Sequence, residues 1–104
     1  MKIKTSNLTD IAFEWAVAKA DGTDKKSLAD FARLRGYYAY TTDWAQGGPI
    51  IERERIEFRQ AKTGMLASYH GGGTWFGKTH LEAAMRAYVA LKLGVEVEIP
   101  EELK

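Results

Sequence analysis

The sequence predicts an α+β fold: a small antiparallel sheet, two main helices and one long ordered loop. Three observations carry this. Apolar residues recur at helical spacing near both ends of the chain, two short central runs alternate in polarity, and a stretch rich in Gly, Thr and Arg between them does neither. A chain of 104 residues makes one domain, residues 1–104, with a single modest core.

The elements follow in order. Met1 to Thr5 alternates and reads as a short edge strand. Cap-type residues at Ser6 to Thr9 precede Leu8, Ile11, Ala12, Trp15 and Ala18, which share one helical face. Helix one is expected over residues 8–20, with Gly22 closing it and Trp15 in the core. Ser27 to Leu34 reads as a short, weaker helix or turn, and Tyr37, Tyr38 and Tyr40 as packing residues. Ile56–Gln60 and Met65–Tyr69 alternate and pair as a hairpin across Ala61 to Gly64, with Gly64 expected in the left-handed region. His80 to Leu93 is the clearest helix. Thr79 caps it with Glu82 three residues on, and Leu81, Ala84, Met85, Tyr88 and Leu91 form its apolar face. Arg86 lies among these and is expected to reach solvent or an acidic loop residue such as Asp43. Val95, Val97 and Ile99 alternate with Glu96 and Glu98 as a half-buried last strand that Pro100 stops.

Composition excludes several functions. Hydrophobic residues make up 45% and charged residues 28%, an ordinary globular balance. Fifteen basic and 14 acidic residues leave a net charge of +1, so bulk nucleic-acid binding is not expected. The absence of cysteine excludes disulfides and thiolate chemistry, and two histidines are too few for most histidine-built metal sites; no metal or cofactor is expected. The longest mostly apolar stretch, residues 11–20, contains Glu14 and Lys19, and the N-terminus lacks a signal-peptide core. A soluble cytoplasmic protein with no membrane partner is the expectation.

Gly72-Gly73-Thr74-Trp75-Phe76-Gly77-Lys78-Thr79 fits G-x-x-x-x-G-K-[ST], the phosphate-cradling loop of nucleotidases. Its wider context does not fit. Such enzymes need a later buried parallel strand ending in a magnesium-holding Asp, yet no Asp follows Asp43, and the last strand is striped with Glu. Thr79 is explained as a helix cap. What survives is a glycine-rich entrance to a helix, where Gly72, Gly73, Lys78 and Thr79 are candidates for holding an anion beside Trp75. His70 to Gly73 also resembles an oxyanion loop, but no nucleophile elbow accompanies it.

Residues 41–55, TTDWAQGGPIIERER, form the stronger candidate. Thr41, Thr42 and Asp43 are turn-fixing residues, and Gly47-Gly48 permits positive φ. Pro49 suits the first position of a helix, and Ile50 to Ile56 fits a strand equally well. Trp44 is expected either to anchor the core or to stack on a base or sugar, with Gln46, Arg53 and Arg55 beside it and the two arginines available to pair with an anion.

KTSNLTDIAFEWAVAKADG, TTDWAQGGPIIERERI and THLEAAMRAYVALKLGVEVEIP, in that order, resemble the NinX-like family of small bacteriophage proteins. The resemblance covers nearly the whole chain, and TDWAQGGPIIERE is its most specific part. It implies phage or prophage origin, location in the host cytoplasm and an accessory role, and it brings no catalytic residues with it.

Three functions follow as expectations. The first is a non-catalytic binder of a small anionic ligand, a nucleotide or nucleotide-derived host defence signal, in a pocket joining residues 43–55 with 70–79, within one chain or across a homo-oligomer interface. The second is an inhibitor or adaptor acting on a host protein. The third is an enzyme; Asp43, Glu52, Glu54, His70 and His80 supply acid–base groups, but no spacing ties them to a reaction. Ligand binding is the expectation carried forward.

Overall fold

A computed structural model describes residues 1–22, 38–69 and 72–103. The short helix expected at Ser27 to Leu34 lies outside these residues, as do Tyr37, His70 and Gly71. The described elements are β1 (Lys2–Lys4), α1 (Asp10–Ala20), α2 (Trp44–Glu54), β2 (Glu57–Gln60), β3 (Met65–Ser68), β4 (Thr74–Gly77), α3 (His80–Leu93) and β5 (Glu96–Glu98), with short 3-10 turns at Thr5–Asn7 and Glu101–Leu103. The α+β class and the antiparallel pairing agree with the sequence. The strands form two sheets, however: a three-stranded meander in the order β2-β3-β4, and a two-stranded ribbon of β1 and β5.

α3 is the hub. It packs against β3, β4, β5, α1, α2 and the turn at Thr5–Asn7. Its bounds match the periodicity, and Thr79 Oγ1 accepts from the Glu82 N–H at 3.1 Å as the cap requires. Burial is wider than one stripe: every residue from Ala83 to Ala90 is buried, whereas Leu91 is exposed. The alanines at 83, 84, 87 and 90 explain this, because small side chains let partners approach the helix on several faces.

The meander lays one face on α3. Phe58, Ala67 and Trp75 stand in register on that face, and Arg59, Leu66 and Phe76 on the other. β4 is absent from the sequence reading, which treats residues 71–79 as a connection. The phosphate-loop pattern is therefore interrupted by an extended strand and is not a cradle. A Cβ on Gly77 would stand 2.2 Å from Ala83 N, so this glycine lets β4 cross closely over α3. Gly64 does close the hairpin, with Ala61 N–H donating to its carbonyl at 2.9 Å. Its φ is not positive; it is small because a Cβ would meet Gly77 O at 2.4 Å.

In the ribbon, Lys2 faces Glu98, Ile3 faces Val97 and Lys4 faces Glu96. Val97 and Ile99 are buried, while Val95 lies outside the strand and is exposed.

The expected long loop is largely α2. Asp43 caps it by accepting from Ala45 N–H at 3.0 Å, and the helix begins at Trp44, before the Pro49 start that the sequence offers as an alternative to a strand. Pro49 lies inside the helix, where it lacks one N–H and would clash with a side chain on the preceding residue; Gly48 supplies none. Gly47 is helical, not left-handed. It is buried, and a Cβ there would lie 2.4 Å from Tyr40 O and 2.6 Å from a Leu81 methyl. Tertiary contact with α3 overrides the poor helix propensity of Gly-Gly-Pro. The far end is clamped: Arg53 donates to Asp21 at 2.8 Å and to Tyr88 Oη at 2.9 Å, joining the ends of α1 and α2 to the middle of α3. Burial and the Asp21 carboxylate push the Tyr88 hydroxyl up to about 12.

Gly47→Ala is expected to lower stability by about 1–3 kcal/mol despite alanine's better helix propensity, since the obstructing atom is a backbone carbonyl. Urea unfolding of the variant against the wild type measures this. Gly48→Ala, whose Cβ has room at 3.6 Å from Trp44, serves as the control and should lose less.

Candidate functional site

Among the described residues, all three helices begin at one cleft. Its wider lobe, about 390 Å³, is lined by Thr9 and Asp10 at the start of α1, Thr41 and Thr42 before α2, and Lys78 and Glu82 at the start of α3. Its narrower lobe, about 240 Å³, is lined by Thr42, Trp44, Thr79 and Leu81. Thr41, Thr42 and Glu82 line both.

Each wall is positioned by identifiable contacts. Glu14, buried on α1, accepts from the Thr41 N–H at 3.2 Å and from the Thr41 hydroxyl, which fastens residues 38–43 to α1. Burial pushes the Glu14 carboxyl up from its ordinary value; the Thr41 and Tyr40 hydrogen bonds only partly offset this. Gln46 Oε1 accepts from Ala39 N–H at 2.9 Å and holds the same segment to α2. α1 starts differently from its neighbours. Thr9 occupies the cap position but its side chain makes no cap bond, and Asp10 follows with φ of 54°. The first-turn N–H groups of α1 are thus left without a side-chain cap.

Below the cleft lies Arg86, 6% exposed. It reaches neither solvent nor Asp43. Its guanidinium donates to Glu82 at 2.7 Å, Phe76 O at 3.0 Å and Leu8 O at 2.8 Å, and its Cζ sits 5.0 Å from the centre of the Phe13 ring. Its Nε is buried without a hydrogen-bond partner among the described residues. Glu82 therefore turns to Arg86, and the second half of the expected capping box does not form.

The structure divides the sequence candidates. Thr42, Trp44, Lys78 and Thr79 meet in the cleft. Trp44 is 55% exposed, so the core-anchor reading is overturned. Asp43, Gln46, Gly47 and Gly48 support this wall from α2. Arg53 and Arg55 lie at the opposite end of α2, ten or more residues from Asp43 and so roughly 15 Å away along the axis. They do not join the cleft: Arg53 is committed to Asp21, Tyr88 and Glu54. Gly72 lines a separate depression on the outer sheet face with Glu57, Arg59 and Thr74. Gly73 is exposed beside it, and Trp75 packs against the core. Thr9, Asp10, Glu14, Glu82 and Arg86 are cleft residues that the candidate set lacks. Glu14 and Arg86 left a signal, each being a charge inside an apolar helical run, which demands a buried partner.

These features define a small α+β protein whose three described helices open on one shared cleft. The chain belongs to the family described as Bacteriophage P22, NinX, whose model matches residues 4–92 and so spans every cleft residue. No curated protein matches the chain significantly. No helix among the described residues is long and apolar enough to cross a membrane.

Glu14→Gln removes the buried charge and keeps an acceptor for the Thr41 N–H. Because the folded carboxyl titrates above its unfolded value, its favourable contribution is complete below about pH 4.5 and is lost as pH rises through the folded value. The stability of the variant relative to the wild type should therefore increase from pH 4 to pH 8. Paired thermal melts across that range check the slope; a flat difference would sink the assignment.

Proposed function

We propose that the protein binds a small anionic molecule in the cleft where its three described helices begin, and holds it without transforming it. The observation that carries this is the meeting of the helix starts at two adjoining lobes that share Thr41, Thr42 and Glu82, with Lys78 lining the wider one. Each helix start carries roughly half a positive charge and unpaired N–H donors. α2 and α3 have side-chain caps, whereas the start of α1 is open. Lys78 is exposed and makes no ion pair among the described residues. Arg86 adds a positive charge beneath the wider lobe, shared with Glu82.

The carboxylates in the cleft have to be weighed against this. Glu82 is neutralised by Arg86. Glu14 is tied to Thr41, and its burial disfavours the charged form. Asp10 remains, against Lys78 and the helix starts. The commitment of Glu14 and Glu82 to structural partners also supports holding over chemistry, since a general acid or base has to face its substrate. For a phage accessory protein in the host cytoplasm, holding a nucleotide-derived defence signal is a sufficient mode of action. The inhibitor or adaptor alternative requires a contiguous apolar face. The exposed Trp44, Phe76, Leu91 and Val95 lie on α2, β4, α3 and the turn before β5.

Thermal-shift measurements with phosphate, pyrophosphate, nucleotides and cyclic nucleotides test the proposal. A ligand at a hundredfold excess over its Kd should add about 2.7 kcal/mol of stability, a shift of several degrees. Lys78→Ala should reduce that shift while leaving the ligand-free Tm nearly unchanged. No stabilisation by any of these compounds at saturating concentration would reject it, and a stoichiometric host protein recovered in a pull-down would favour the alternative.

A further inference from the structure

We infer that the Trp44 end of the cleft is a stacking platform, and that the ligand is a nucleotide whose base lies on Trp44 while its phosphate meets Lys78. This rests on the cleft taking an anion, as proposed above, and adds which part of the ligand each lobe recognises.

The narrower lobe is aromatic where the wider one is charged. Trp44 leaves more than half of the largest side-chain type in water, at the rim of a cleft rather than in the core. Its ring centre stands 6.4 Å from that of His80, tilted by 49°, and His80 is braced edge-on by Phe58 at 5.0 Å. The two glycines of the WAQGGP segment acquire separate roles. Gly47 lets α2 press against Leu81, which keeps the indole beside Thr79 and His80. Gly48 is the residue four positions on from Trp44, the place from which a helical neighbour normally covers a side chain. A Cβ there would already touch the indole at 3.6 Å. With none present, residue 48 puts no side chain against the ring.

An exposed ring next to a cationic lobe is the arrangement that recognises a base and its phosphate together. Between the lobes, Thr42 and Glu82 line both spaces and are residue types that suit sugar hydroxyls. A bare oxyanion would use the wider lobe alone and leave Trp44 idle.

Equilibrium binding of the full-length chain to the four nucleoside 5′-monophosphates, ribose 5-phosphate and pyrophosphate tests this, using wild type, Trp44→Ala and Trp44→Phe. Trp44 is exposed, so both variants should keep the wild-type Tm. At least one nucleotide is expected to bind the wild type about tenfold or more tighter than ribose 5-phosphate does. Trp44→Phe should retain most of that preference, and Trp44→Ala should bind nucleotide and ribose 5-phosphate alike. Equal wild-type affinity for nucleotides and ribose 5-phosphate, or a preference that survives in Trp44→Ala, overturns the stacking assignment while the anion site stands. No binding of any of these compounds removes both.

Discussion

Arg86 carries a charge that no protein environment removes, and it sits in the interior of the molecule. Such a group is stable only if acceptors converge on it, because a buried charge without partners is strongly destabilising. Here the acceptors come from three places in the chain: Leu8 just before α1, Phe76 in β4 and Glu82 on α3. Satisfying one guanidinium therefore sets where α1 begins and where β4 crosses α3. Gly77 permits that crossing, and the alanines of α3 allow the sheet and helices to close around it. The cleft is the space left above this junction, so its floor is as fixed as the core.

The opposite wall is held at both ends by separate means. At its start, Asp43 and Gln46 fasten the segment 39–46, and Glu14 fastens Thr41 to α1. At its end, Arg53 joins Asp21 and Tyr88. Between them Gly47 fixes the distance to α3. A wall clamped this way would have little freedom to lose if the proposed ligand bound there. The price of this rigidity is visible at Asp10 and Arg55, two non-glycine residues with φ of 54° at the start of α1 and the end of α2.

Both glycine-rich motifs turn out to be split. In the GxxxxGKT match only Lys78 and Thr79 reach the cleft; the rest is strand, packing glycine or outer sheet face. In TDWAQGGPIIERE the first half shapes the cleft and the second half clamps the far end of α2. A linear motif records neighbours in the chain, whereas a helix of 11 residues carries its two ends to different sites.

The sequence by itself determined the α+β class, the bounds of α3, the β2–β3 hairpin and the cap at Thr79. Each rests on a local rule: a period of 3.6 with a cap residue, a period of two, or a turn between alternating runs. It did not determine β4, whose four residues sit among glycines and show no periodicity, or α2, where Gly-Gly-Pro argues against a helix that contact with α3 then stabilises. Half of the candidate site was legible, because Thr42, Trp44, Lys78 and Thr79 stood out by residue type. The other half was not: Thr9, Glu14 and Arg86 look like helix residues until α1 is set against α3. Only the tertiary structure brings Thr9 beside Lys78, because the burial and hydrogen bonding that join them act between distant segments, and local preference has no term for that.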